Sequence, residues 1–131
     1  MNNYKILFFL SFLEYIFDIY TKMECNTFIG HIFLYFHHIV AIYIYLGGIL
    51  FNTKYHLIFM LFLIYHWLFN DLKCKLTEYT NYYCGKDITI YHEFNDILDL
   101  LDIHKIIPNI YWIAIILVII IDFYILTIHK I

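Results

Sequence analysis

The chain has 131 residues, 63% hydrophobic and 22% aromatic, with eight lysines, no arginine, and eleven acidic residues that bring the net charge to −3. Soluble domains are roughly 45–50% apolar, so this composition would leave too much oily surface in water and points to lipid as solvent; the length allows one compact unit. The acidic balance excludes a nucleic-acid partner, which asks for a basic face.

Four apolar segments are predicted to cross a bilayer as helices, a crossing needing ~20 residues with ~17 near the lower limit. The first, Tyr4–Tyr20, is short and interrupted by Glu14 and Asp18. The second, Phe28–Phe51, is long enough to cross with some tilt, and Asn52–Lys54 forms a tight hairpin into the third, Tyr55–Phe69. That third segment is short unless its polar flanks snorkel. The fourth, Ile110–Ile128, is nearly pure Ile, Leu, Val and Phe, with Tyr111 and Trp112 as interface anchors at one end.

Residues 70–109 form a polar interval. Its first part, Lys73–Asp87, mixes Lys, Thr, Tyr, Asn, Cys and Gly85 and reads as loop. In its second part, His92–Ile107, Phe94, Ile97, Leu98 and Leu101 share one face while Glu93, Asp96, Asp99 and Asp102 lie elsewhere. This is an amphipathic helix stopped by Pro108. Its acidic face is unsuited to anionic lipid, so it is expected in the interface against the protein's own helices. The fold class is therefore all-α: a polytopic membrane protein, a four-helix transmembrane bundle with one amphipathic interfacial helix, all one membrane domain over residues 1–131.

Four crossings put both termini on one side. That side holds Lys5, Lys54 and Lys130 without loop acids, so the termini are expected in the cytosol. Cys25, Cys74 and Cys84 then face an oxidising side of a secretory membrane, which permits one disulfide. Cys74 and Cys84, with nine residues between them, are the expected pair, and Cys25 is the other possible partner for Cys74.

Polar residues recur inside the apolar segments at helical spacing. Ser11, Glu14, Asp18 and Lys22 form one stripe; His31, His38, Tyr45 and Asn52 follow at intervals of seven; His66, Asn70 and Cys74 follow at intervals of four. Counted from the cysteine-bearing side, Glu14, Asp18, His31, His38, His66 and Asn70 all fall within about 15 Å of depth. Three helices are thus expected to bring one polar cluster together, with Asp122 apart from it, nearer the opposite surface. A carboxylate at mid-bilayer costs about 2.5–3.5 kcal/mol on insertion scales, so Glu14 must be paired, protonated or hydrated.

Such a cluster serves either packing, through interhelical hydrogen bonds, or a proton, metal or haem site, since neutral imidazole is a common metal ligand and carboxylates tune it. The metal candidates are His38 and His66; no cofactor is the expected state. His37-His38 lacks the several histidine boxes of membrane desaturases. Cys74 and His66 lie eight residues apart, about 12 Å of rise, too far for a nucleophile and its base unless the helix ends before Cys74 and the chain folds back. No phosphate loop or serine elbow is present.

The run His66-Trp67-x-x-Asn70-x-x-x-Cys74-x-Leu76-Thr77, with Phe36-His37-His38-Ile39-Val40 and Gly47, resembles small multi-span membrane proteins of unknown function encoded by large DNA viruses. The resemblance covers roughly residues 28–84 and implies an integral membrane protein without assigned activity. The expectation is a non-catalytic membrane protein acting through helix or partner contacts, with lipid, a second copy or another membrane protein as partner. Its competitor is a metal, haem or proton carrier.

Overall fold

Helix α2 (Phe28–Leu50) is the element against which the others are arranged. In this computed structural model, residues 2–21, 24–71, 73–85 and 110–128 are described. They form five helices and, among the described residues, no strand: α1 (Asn3–Thr21), α2, α3 (Thr53–Phe69), α4 (Lys75–Tyr83) and α5 (Ile110–Ile128). The expected amphipathic helix at His92–Ile107 lies outside the described residues.

Local chemistry sets the helix starts. Thr27 caps α2, its hydroxyl accepting from the Gly30 N–H at 2.9 Å. Asn52 caps α3 by accepting from the Lys54 N–H at 3.0 Å. These side chains satisfy donors that the first helical turn leaves open. Between α2 and α3, Thr53 donates back to the Gly48 carbonyl at 2.8 Å, closing the hairpin.

Helix α1 runs antiparallel to α2. Asn3 donates to the Leu50 carbonyl at one end, and Tyr15 meets His31 at the other. Helix α3 returns along the C-terminal half of α2, where Ile44, Met60, Leu63 and Ile115 make an apolar core. Helix α5 joins this core by packing on both α2 and α3, with Trp112 edge-on to Trp67 at 5.8 Å. The N-terminal half of α2 is covered by α4: Phe33 stacks on Tyr83 at 4.9 Å, and Thr27 donates to the Tyr83 carbonyl. Helices α3 and α4 therefore share the length of α2 between them.

Two expectations are corrected, and the four crossings hold in part. Of the four predicted crossings, only α2 and α5 among the described residues are both long and apolar enough to span a membrane. Helix α1 carries Lys5, Glu14 and Asp18, and α3 stops at 17 residues. First, the stretch read as loop contains helix α4, whose weak formers are held helical by their contacts with α2.

Second, Cys84 bonds to Cys25, not to Cys74. Cys74 caps the start of α4 and Cys84 its end, so helical rise holds them about 15 Å apart, beyond disulfide reach. Cys25 and Cys84 have Cα atoms 4.3 Å apart.

Burial is inverted relative to a water-soluble bundle. The buried face of α1 is Leu7, Ser11, Glu14 and Asp18, while Phe8, Phe9, Phe12, Leu13 and Phe17 are exposed. Among the described residues, buried polar side chains are as numerous as buried apolar ones, ten against nine.

Candidate functional site

Glu14 and Asp18, one helical turn apart on α1, both point at His38 on α2. His38 Nε2 lies 2.8 Å from Asp18 Oδ2, and Nδ1 lies 3.4 Å from Glu14 Oε2. The imidazole is fully buried and both carboxylates nearly so. Each ring nitrogen therefore faces an acceptor when the acids are ionised, and the ring can donate at both positions only as imidazolium. In a low dielectric such contacts are strong, and losing one partner strands the others.

His31, one heptad before His38, also faces α1 but meets Tyr15, whose hydroxyl lies 3.0 Å from Nδ1. Ser11, three residues before Glu14 on α1, is buried and donates to the Leu7 carbonyl at 2.7 Å, within its own helix. His66 and Asn70 do not reach this cluster. His66 Nε2 accepts from the Lys75 N–H at 3.3 Å, and Asn70 donates to the Lys73 carbonyl at 2.8 Å. Both organise the break between α3 and α4.

The ligand pair His38 and His66 is thus not assembled, because each ring is committed to a different neighbour. Among the described residues no three His, Cys, Asp or Glu side chains are arranged to hold a metal ion. The helix break after α3 places the Lys75 amide, next in sequence to Cys74, against the His66 imidazole.

A second buried site is absent from the sequence reading. His56 Nδ1 lies 2.6 Å from Asp122 Oδ2, and Nε2 donates to the Tyr43 carbonyl at 2.9 Å. With one acceptor fixed at Nε2, the pair is neutral overall either as imidazolium with carboxylate or as imidazole with carboxylic acid. It joins α2, α3 and α5 at one level. The signal for it is Gly47-Gly48 inside an apolar helix. A β-carbon at Gly47 would lie 2.9 Å from His56 Nε2, and one at Gly48 would overlap Asp122 Oδ1. Two adjacent glycines are the recess into which the pair fits.

A third polar contact ties α4 to α2: Thr77 Oγ1 lies 3.1 Å from His37 Nε2, and both residues are buried. At the surface of α4, Lys75 and Glu78 pair at 2.8 Å. Their contact holds the Glu78 carboxyl below its usual range and the Lys75 ammonium above its own.

Comparison of the chain with protein-family models, with curated proteins and with solved structures gives no match. What the arrangement can do is read from its own chemistry. Three imidazoles on two helices, His37, His38 and His56, link α2 to every other described helix through carboxylate, hydroxyl and carbonyl partners. His38 alone has an acid on each side.

Proposed function

We propose that the chain is an integral membrane protein in which α1, α2, α3 and α5 all lie in the bilayer, held together by buried histidine contacts and acting through helix-to-helix and partner contacts. The observation that carries this is α1. Its acids and serine turn inward and its phenylalanines outward, the reverse of what water selects. Lipid accepts that outer face, and the inward carboxylates find His38.

Two helices meet the length and apolarity of a span unaided. Helix α1 falls short only through charges, two of which are buried, and α3 through length. The start of α1, the α2–α3 hairpin and the Asp122-bearing half of α5 share one end of the bundle. On this reading that end is cytosolic, carrying Lys5 and Lys54. The Cys25–Cys84 end lies in the oxidising compartment, where a disulfide persists. The test is expression in a secretory system followed by alkaline carbonate extraction. Protein that stays in the pelleted membranes is the expected result; protein released as a soluble monomer refutes the reading.

A second reading is favoured by one feature, the carboxylate at each nitrogen of His38. A proton taken from one acid at Nδ1 leaves for the other at Nε2, so Glu14, His38 and Asp18 are arranged as a proton relay along one turn of α1 by way of the α2 imidazole. Proton flux in liposomes that is lost in Glu14→Gln and in His38→Ala would establish it. Flux that survives both, or no flux at all, leaves the three residues as packing.

A further inference from the structure

Helix α4 and a Cys74–Cys84 bond exclude each other. Cys74 caps the start of the nine-residue helix and Cys84 its end, and helical rise keeps their backbones about twice as far apart as a disulfide can bridge. The pairing of these two sequence neighbours is therefore open to the chain only when α4 is unfolded. While α4 is helical, Cys84 is bonded to Cys25 and Cys74 keeps its thiol.

The helix has little hold on its own conformation. Isolated helices below about 12–15 residues are marginal in water, and Thr77, Thr80 and Asn81 are weak formers. What keeps α4 folded is its seat on the N-terminal half of α2: the Thr27–Tyr83 hydrogen bond, the Phe33–Tyr83 stack and the Thr77–His37 contact. The disulfide anchors that seat, and α2 is shaped to take it. A β-carbon at Gly30 would overlap Cys25 Sγ and lie 2.8 Å from Cys84 Sγ. In the docked state Cys84 is buried beside Leu34, out of reach of the third cysteine.

We propose that Cys25, Cys74 and Cys84 form a thiol–disulfide isomerisation switch that decides whether α4 covers α2. Once α4 melts, the Cys74 thiol gives its proton to water and the thiolate attacks Cys84 Sγ. The Cys74–Cys84 bond forms, the Cys25–Cys84 bond breaks, and its electron pair leaves on Cys25, which takes up a proton. One thiol and one disulfide enter and leave, so the exchange is redox-neutral and needs no external oxidant or reductant. Exchange at Cys84 rather than at Cys25 closes the shorter loop and costs less chain entropy. The new bond forbids the helix, so it locks α4 off α2 and uncovers Phe33 and His37, the latter next to His38. The switch does not depend on the membrane reading.

The experiment follows disulfide pairing in the full-length chain in detergent. Protein is held without reductant at about pH 8.5, where a cysteine thiol is half ionised, then quenched with acid, alkylated and peptide-mapped. Expected are the Cys25–Cys84 form and a minor Cys74–Cys84 form with Cys25 alkylated. Thr77→Ala, which removes the His37 contact, should raise the minor share about fivefold or more. Thr80→Pro, which breaks α4, should raise it further; Thr77→Ala alone carries the test if the proline variant does not fold. Alkylating Cys74 beforehand should abolish the exchange. In an oxidised glutathione buffer Cys25→Ser should close Cys74–Cys84 and lose hydrogen-exchange protection in α4, which Cys74→Ser retains. Cys25–Cys84 as the sole pairing in wild type and the α4 variants overturns the switch. So does a Cys25–Cys74 product, or a Cys25→Ser chain in which α4 stays protected after Cys74–Cys84 has closed.

Discussion

Asp122 occupies the space that a β-carbon at position 48 would need, so the carboxylate of α5 and the bare backbone of α2 at Gly48 are complementary surfaces. Gly48→Ala is expected to drive Asp122 off His56 and to destabilise the bundle by more than the about 1–3 kcal/mol of simple overpacking, because two buried polar groups lose each other as well. Asp122→Ala in the Gly48→Ala background should recover part of the loss. The coupling, about 0.5–3 kcal/mol for contacting residues, is read by detergent-titrated unfolding of the four members of the cycle. Additive effects would mean that the glycine serves something other than this contact.

The triad predicts an order of severity. His38→Ala leaves two acids facing each other's field in a buried site and should cost about 3–5 kcal/mol, as for a broken buried pair. Asp18→Asn keeps shape and a hydrogen bond and should cost about 1–3 kcal/mol. Glu14→Gln, at the longer 3.4 Å contact, should cost least. Unfolding midpoints in one detergent decide the ranking, and a Glu14→Gln variant weaker than His38→Ala would contradict it.

Alkylation before reduction should modify Cys74 and leave Cys25 and Cys84 unmodified, which peptide mapping reads directly. The Cys25–Cys84 bond closes a loop with a sequence separation of 59, so chain-entropy reasoning assigns it about 4 kcal/mol. Cys84→Ser should lower the unfolding midpoint accordingly and expose Cys25 to alkylation.

Lys75 and Glu78 give a pH signature of known sign. The carboxyl is held low in the folded protein by its contact with Lys75, so its share of stability is present above the unfolded carboxyl's pKa and is lost as pH falls through the lowered folded value. The ammonium is held high by the same contact, so its share is present below the unfolded lysine's pKa and is lost as pH rises through the raised folded value. The stability difference between wild type and Glu78→Gln should therefore be confined to the interval between those limits, and it should be small and salt-sensitive because the pair is exposed.

Much of this architecture is legible in spacing alone. Apolar runs mark α2 and α5, Thr27 and Asn52 stand where helices begin, and Ser11, Glu14 and Asp18 share one face at intervals of three and four. That His31 and His38 face the same neighbour follows from the heptad between them. The rest depends on how helices slide past one another. Asp122 meets His56 across 66 positions of sequence because α5 sits at the level of Trp67 and Gly48, a register that no count from a helix end supplies. Helix α4 is hidden for another reason: Thr77, Thr80 and Asn81 are poor helix formers, and their helical state is set by burial against α2. Cys25 is chosen over Cys74 as partner of Cys84 only once that short helix separates the nearer two cysteines.

The inward turn of Glu14 and Asp18 bears on how the protein is made. Helix α1 leaves the ribosome before His38 exists, and a lone segment with two acids is a poor substrate for lateral release into lipid, each carboxylate costing about 2.5–3.5 kcal/mol at mid-depth. On the membrane reading proposed above, the translocon retains α1 until α2 has been synthesised and then releases the two as a preassembled hairpin, so a nascent chain arrested before His38 should stay crosslinkable to the translocation pore.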